Sequence, residues 1–353
     1  MRVDPAVSVL EAAYRLMDDD DSWLRGLGDA LAPLSEGSSV VCSLLTRGAK
    51  VAVERRVTAP ADPELEALTA RVEAMIPQAL RRKMHLRFGC ESASDFAQLT
   101  AGRYADKAMQ LLYGRTLYPL GYRDILNVQA ADTTGRSIWC ALATRERVTV
   151  HPRAAATWRR AALHMLAGFR LRSAVAELPD RDPFAAAEAV LDVDGRTAHA
   201  TGAARDGSRR EALSAAVQAV DRARGRAVRG DPEAALELWR ALFAGRWSIA
   251  EVFDSDQRRF YLAFENQPLA VDDRRLTRRE AQVAASAALG RDDSAIAYEL
   301  GISGPTVRTH LERSLRKLGL RSRRQLIGLA GSLCVGPNSD AKSSSRLDTP
   351  SLR

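Results

Sequence analysis

Between Ser303 and Leu318 the chain sets out two kinds of residue at helical spacing. Val307, Leu311, Leu315 and Leu318 recur every three or four positions and would share one inner face. Thr306, Arg308, Thr309, Glu312, Arg313 and Arg316 fall on the outer face. The chemistry open to that face is hydrogen bonding. A guanidinium forks onto two acceptors, on a phosphate or on a guanine edge, and a carboxylate accepts from an amino group such as cytosine N4. A basic helix on its own is usually a solvated face, so the reading depends on the elements around it.

From Leu276 to Ala330 the pattern gives four short helices and no strands. The first covers about Arg278 to Ala288, with Val283 and Ala287 inward and Gly290 just past its end. Asp292 and Asp293 suit the N-terminus of a second helix, Ser294 to Leu300. Gly301 stops it, and Ser303 then reads as the N-cap of the third helix, with Pro305 in its first turn. A helix, a short turn with Gly and a second helix with polar and basic residues outward is helix-turn-helix geometry.

The strings LTRRE, AIAYELGIS and TVRTHLERSLRKLGLRSR, within residues 276–332, also resemble the C-terminal DNA-binding domain of LuxR/FixJ-type transcription regulators. The resemblance implies a four-helix domain whose third helix enters the DNA major groove. It puts Arg308, Thr309 and Glu312 where base edges are read, and Ser303, Thr306, Arg313, Lys317 and Arg321 where phosphates are held. Glu312 departs from the pattern, since a basic residue is frequent there. A carboxylate cannot approach phosphate cheaply, but cytosine N4 is open to it, which points to an unusual operator. Glu280 matches the family's first-helix Glu and reads as a structural cap; His310 reads as a packing residue near phosphate. Some regulators of this type bind acyl-homoserine lactones through a Trp-x-x-x-Tyr pair. None of Trp23, Trp139, Trp158, Trp239 or Trp247 has a Tyr four residues on, so that ligand class is not expected.

Charge agrees with this division of labour. The formal net charge is +8, and residues 271–353 hold 15 Lys/Arg against 9 Asp/Glu, so most of the excess surrounds the helix-turn-helix. No apolar run approaches the ~18 residues of a membrane span, and the first residues, MRVDPAVSVL, lack a signal peptide's hydrophobic core. Cys42, Cys90, Cys140 and Cys334 are scattered without a CxxC pair, so neither structural zinc nor a disulfide framework is expected. A P-loop, an HExxH and a GxSxG are all absent. His85, His151, His164 and His199 stand alone and read as satisfied or half-exposed side chains. The expectation is a cytoplasmic bacterial protein with no catalytic residues, cofactor or metal.

Ahead of the helix-turn-helix the pattern is mixed. Two helices (residues 5–33) precede a hairpin at Ser38–Thr46 and Val51–Val57; Asp18 to Asp21 between those helices read as a helix end and loop. One long helix is expected over Asp62–His85, a helical region over Ser94–Leu112, strands at Tyr122–Ala131 and Arg136–Val150, and a long helix from Ala154 to about Leu178. This order describes an α+β sensory region, residues 1–180, similar to a GAF domain. Tyr118, Tyr122 and Trp139 are candidates to line a pocket in it, although aromatics beside strands are more often core. Residues 185–266 then read β-β-α-α-β-β around an Asp194-Gly195 turn and resemble a PAS module; 267–275 form a linker and 336–353 a Ser-rich disordered tail.

The expected function is that of a sequence-specific DNA-binding transcription regulator controlled by its N-terminal region. Double-stranded DNA and a second copy of the chain are the expected partners, with Ala154–Leu178 as a candidate dimer or signal helix. RNA polymerase and an unidentified small molecule in the N-terminal region are left open. The alternative is a sensor or adaptor whose helix-turn-helix serves mainly to dimerise; an enzyme fused to a DNA anchor has no acid–base cluster or metal spacing behind it.

Overall fold

A computed structural model of the chain describes residues 3–16, 18–47, 50–85, 87–132, 135–177, 183–253, 256, 258–266 and 275–328. An N-terminal α+β region with two antiparallel sheets is followed by C-terminal helices. The expected linker, but for its last residue, and the expected tail lie outside the described residues.

Helices α1 (Pro5–Ala13) and α2 (Asp20–Leu31) open the fold. Asp19 accepts from the Ser22 backbone N–H at 2.8 Å and caps α2, with Asp20 and Asp21 in its first turn. The acidic run therefore starts a helix where a helix end and loop were expected, because carboxylates suit the positive end of the helix dipole.

The first sheet has the order β2-β1-β5-β4-β3, with β1 (Val40–Arg47), β2 (Val51–Ala59), β3 (Gly89–Ser92), β4 (Asp124–Ala131) and β5 (Arg136–Thr144). Both faces are covered, and the alternation of β5 shows it. Ile138, Cys140 and Leu142 of β5 pack with α1, α2 and α7 (Pro152–Ala176), while Trp139 and Ala141 face the other way. That second face is roofed by α3 (Pro63–Met75), α4 (Gln78–Met84), α5 (Ala93–Ala101) and α6 (Ala105–Tyr113). The single helix expected over 62–85 is two, because Ile76 turns extended ahead of Pro77. The helical region over 94–112 is likewise interrupted, at Gly102, whose φ is 53°.

After α8 (Pro183–Ala186), the second sheet has the order β7-β6-β9-β8, from β6 (Ala189–Asp192), β7 (Thr197–Ala200), β8 (Trp247–Phe253) and β9 (Arg259–Glu265). Helices α9 (Gly207–Ala223) and α10 (Pro232–Gly245) connect its two hairpins. In each sheet a first hairpin is followed by helices and a second hairpin, whose last strand pairs antiparallel with the first strand of the first. The second sheet thus repeats the scheme of the first without a partner for β3.

Helix α7 binds the halves together. Every residue from Ala161 to Phe169 is buried, which is more than two turns with no solvent face. As a dimer helix it would need such a face, and over this stretch the chain itself covers it. One continuous apolar cluster runs from Leu10 and Trp23 through Val128 and Leu163 to Trp239 and Tyr261.

Candidate nucleic-acid interface

The C-terminal helices are α11 (Arg278–Ala288), α12 (Asp293–Leu300), α13 (Gly304–Lys317) and α14 (Arg323–Gly328). Local chemistry sets each boundary. Thr277 and Glu280 form a capping box at the start of α11, each side chain bonding the other's backbone N–H. Asp292 caps α12 by accepting from Ala295 N–H at 2.8 Å, and Ser303 caps α13 by accepting from Thr306 N–H at 3.3 Å. Gly301 ends α12 in the left-handed region, at φ 62°.

Val283, Ile296, Leu300, Val307, Leu311 and Leu326 converge on one small core. Burying the inner face of α13 against it fixes the direction of the outer face. Arg308, Thr309, Glu312, Arg313 and Arg316 are all exposed on α13, and Arg321 follows it, also exposed. Thr309 Oγ1 donates back to the Pro305 carbonyl at 3.1 Å, which holds its side chain against the helix. Arg308, Glu312 and Arg313 make no hydrogen bond or ion pair through their side chains among the described residues.

The phosphate candidates are less uniform. Ser303 is exposed and Thr306 half-buried, their hydroxyls 2.7 Å apart. Lys317 donates to Glu280 Oε2 at 2.7 Å, so its charge is already shared. That bond, with the backbone N–H of Thr277, holds the Glu280 carboxyl down to about 2. Glu280 is thus the cap that its sequence position implied. His310 is half-buried with Nδ1 unpartnered; burial, then Arg313 and Arg279, keep its pKa below the ordinary value and its ring neutral at pH 7.

Residues 274–330 match the family model described as bacterial regulatory proteins, luxR family. They form a LuxR-type helix-turn-helix domain. The match covers under a fifth of the chain, and a comparison of the chain with curated proteins found no match. A LuxR-type domain indicates a DNA-binding transcription regulator, and such regulators are not usually enzymes. Among the described residues no group of His, Cys, Asp and Glu is arranged to hold a metal, and no helix is long and apolar enough to cross a membrane.

The LuxR-type domain is docked on the α+β region through α12, which buries two faces. Ile296 and Leu300 face the domain's own core; Ala295 and Tyr298 join the large cluster of the N-terminal region. Tyr298 donates to the Leu236 carbonyl at 2.6 Å and lies 3.0 Å from His164 Nε2, while His164 Nδ1 lies 2.9 Å from the Tyr14 hydroxyl. Arg291, 2 % exposed, donates to the Ala131 carbonyl at 3.3 Å and stacks over Phe88, its centre 4.6 Å from the ring. It also pairs with buried Glu299, which takes Ser286 at 2.8 Å and Arg170 at 3.4 Å. At the rim Arg159 meets Asp292 at 2.9 Å. The partners that cross between the two regions lie 62 or more residues apart in the chain, and no local pattern announces them.

Proposed function

We propose that the chain is a sequence-specific, DNA-binding transcription regulator whose N-terminal α+β region controls its LuxR-type domain. In this reading Arg308, Thr309 and Glu312 read base edges in the major groove. Ser303, Thr306, Arg313 and Arg321 hold phosphates, and Lys317 does so only by sharing itself with Glu280. The observation that carries the reading is the combination of an exposed polar face on α13, where Arg308, Glu312 and Arg313 are without partners among the described residues, with a buried polar docking network at and just before α12. A domain free of control would need no such network, since its own apolar core is complete without Tyr298 and Glu299.

The regulator reading includes finer parts. The repeated hairpin–helix–hairpin scheme supports GAF-like and PAS-like modules, residues 1–180 and 185–266, ahead of the domain at 276–332. A homodimer on repeated half-sites gives a small domain enough contacts for useful specificity. The cytoplasm and contact with RNA polymerase belong to the same reading.

The test is selection of bound duplexes from a random library by the full-length chain, followed by titration of the enriched and scrambled duplexes. A discrete motif bound at least a hundredfold more tightly than scrambled DNA is expected. Equal binding of both would favour the adaptor reading, in which the helix-turn-helix mainly dimerises.

A further inference from the structure

Between the outer face of the first sheet and helices α3 to α6 lies a cavity of about 200 Å³. Its floor is set by strand alternation: Ile125, Asn127 and Gln129 of β4 lie beside Trp139 and Ala141 of β5. The walls are mostly apolar, with Val72, Phe96 and Met109 among them. Trp139 Nε1 donates to Asn127 Oδ1 at 2.9 Å and is thereby satisfied.

One end differs. His85, 5 % exposed, and Arg81 both line the cavity, and His85 Nδ1 and Arg81 Nε are buried without a partner. An unmet buried polar atom is costly, so two at one end of an apolar cavity call for an occupant. The charge there is also uneven. Glu73 alone serves two guanidiniums, those of Arg56 and Arg81, leaving one net positive charge. Burial, then Arg81 and Arg56, push the His85 pKa down to about 4, so the ring is neutral and contributes a hydrogen bond without a charge.

The geometry points to a binding site for a small monocarboxylate with an apolar body, its carboxylate at Arg81 and His85 and its body over Trp139. A cavity of about 150 Å³ takes a benzene, so this one suits a single ring with a short acid arm or a medium-length acyl chain. The site deepens the sensory reading, because β4 carries the cavity floor and ends at Ala131, whose carbonyl holds Arg291 of the LuxR-type domain. Binding itself does not depend on that reading.

Calorimetric titration of the full-length chain with octanoate and 3-phenylpropanoate, against octan-1-ol and 3-phenylpropan-1-ol, tests the site. Saturable one-to-one binding is expected, with each acid at least tenfold tighter than its alcohol. Arg81→Gln should remove that preference, and Ala97→Leu, which narrows the cavity, should weaken acids and alcohols alike. His85→Gln, which should weaken both acids, gives a second reading of the polar end if Arg81→Gln unfolds. No saturation with either acid, parity of acid and alcohol, or acid binding unchanged in all the variants overturns the site. The affinity of the same protein for its selected duplex, with and without octanoate, reads the sensory role separately. Binding that leaves DNA affinity unchanged keeps the site and sinks its control of the LuxR-type domain; absent binding with intact DNA recognition sinks the site and leaves the DNA-binding reading standing.

Discussion

At His164 the hydrogen bonds have a direction. Tyr298 gives its only proton to the Leu236 carbonyl, so it accepts from His164 Nε2–H, and Nδ1 then accepts from Tyr14. The chain of donors works only with a neutral ring, and burial pushes the His164 pKa down to about 3. A group so depressed adds its full stabilisation above its ordinary pKa, near 6.5, and loses it as pH falls toward 3, because the unfolded chain takes up the proton first. The urea midpoint should therefore fall between pH 7 and pH 5, and His164→Phe should flatten that slope; an unchanged slope would place the origin elsewhere. Tyr298→Phe leaves His164 Nε2–H without its acceptor and should cost about 1–3 kcal/mol in urea unfolding. On α13, Arg308→Ala should cost about 1–3 kcal/mol at one base position of the selected duplex. An equal loss on every sequence would mean that Arg308 touches only phosphate.

Among the elements, α12 is the joint, and its eight residues serve two cores at once. Gly301 shows how close the approach is. A Cβ there would lie 2.8 Å from the Ala244 Cα at the end of α10, and the left-handed φ already disfavours any side chain. Gly301→Ala should thus cost more than the ~1 kcal/mol of the backbone preference alone, read as a lower thermal midpoint and faster proteolysis between the two regions. Cleavage as slow as in the parent chain would show that the contact yields easily. The caps and turns of this domain were legible because each rests on residues within four positions: Thr277 with Glu280, Asp292 with Ala295, Ser303 with Thr306. Strand β3 was not, since Gly89–Ser92 is four residues without alternation and exists only by pairing with β4. The docking network was hidden for the same reason of distance, and His164 was read only as a satisfied or half-exposed side chain; it is fully buried, with both ring nitrogens bonded. Trp139 lines the cavity, whereas Tyr118 and Tyr122 pack on the cluster beside it, the core placement that aromatics beside strands more often take.

Across the whole molecule, an interior shared by both sheets, α7 and α12 makes the N-terminal region and the LuxR-type domain one packed unit in this conformation. The control proposed above would therefore act by changing how α12 is held while α13 stays outward. The outer charge predicts a steep salt dependence, because each neutralised phosphate releases about one counterion. Affinity for the selected duplex should fall by orders of magnitude between about 50 and 200 mM salt, and a shallow slope would argue that few of the arginines reach phosphate. The most direct measurement is parallel selection of duplexes by the wild-type chain and by Arg308→Ala. Recognition through α13 predicts one motif for the wild type and relaxation at a single base position in the variant. The absence of any motif, or the same motif from both proteins, would contradict it.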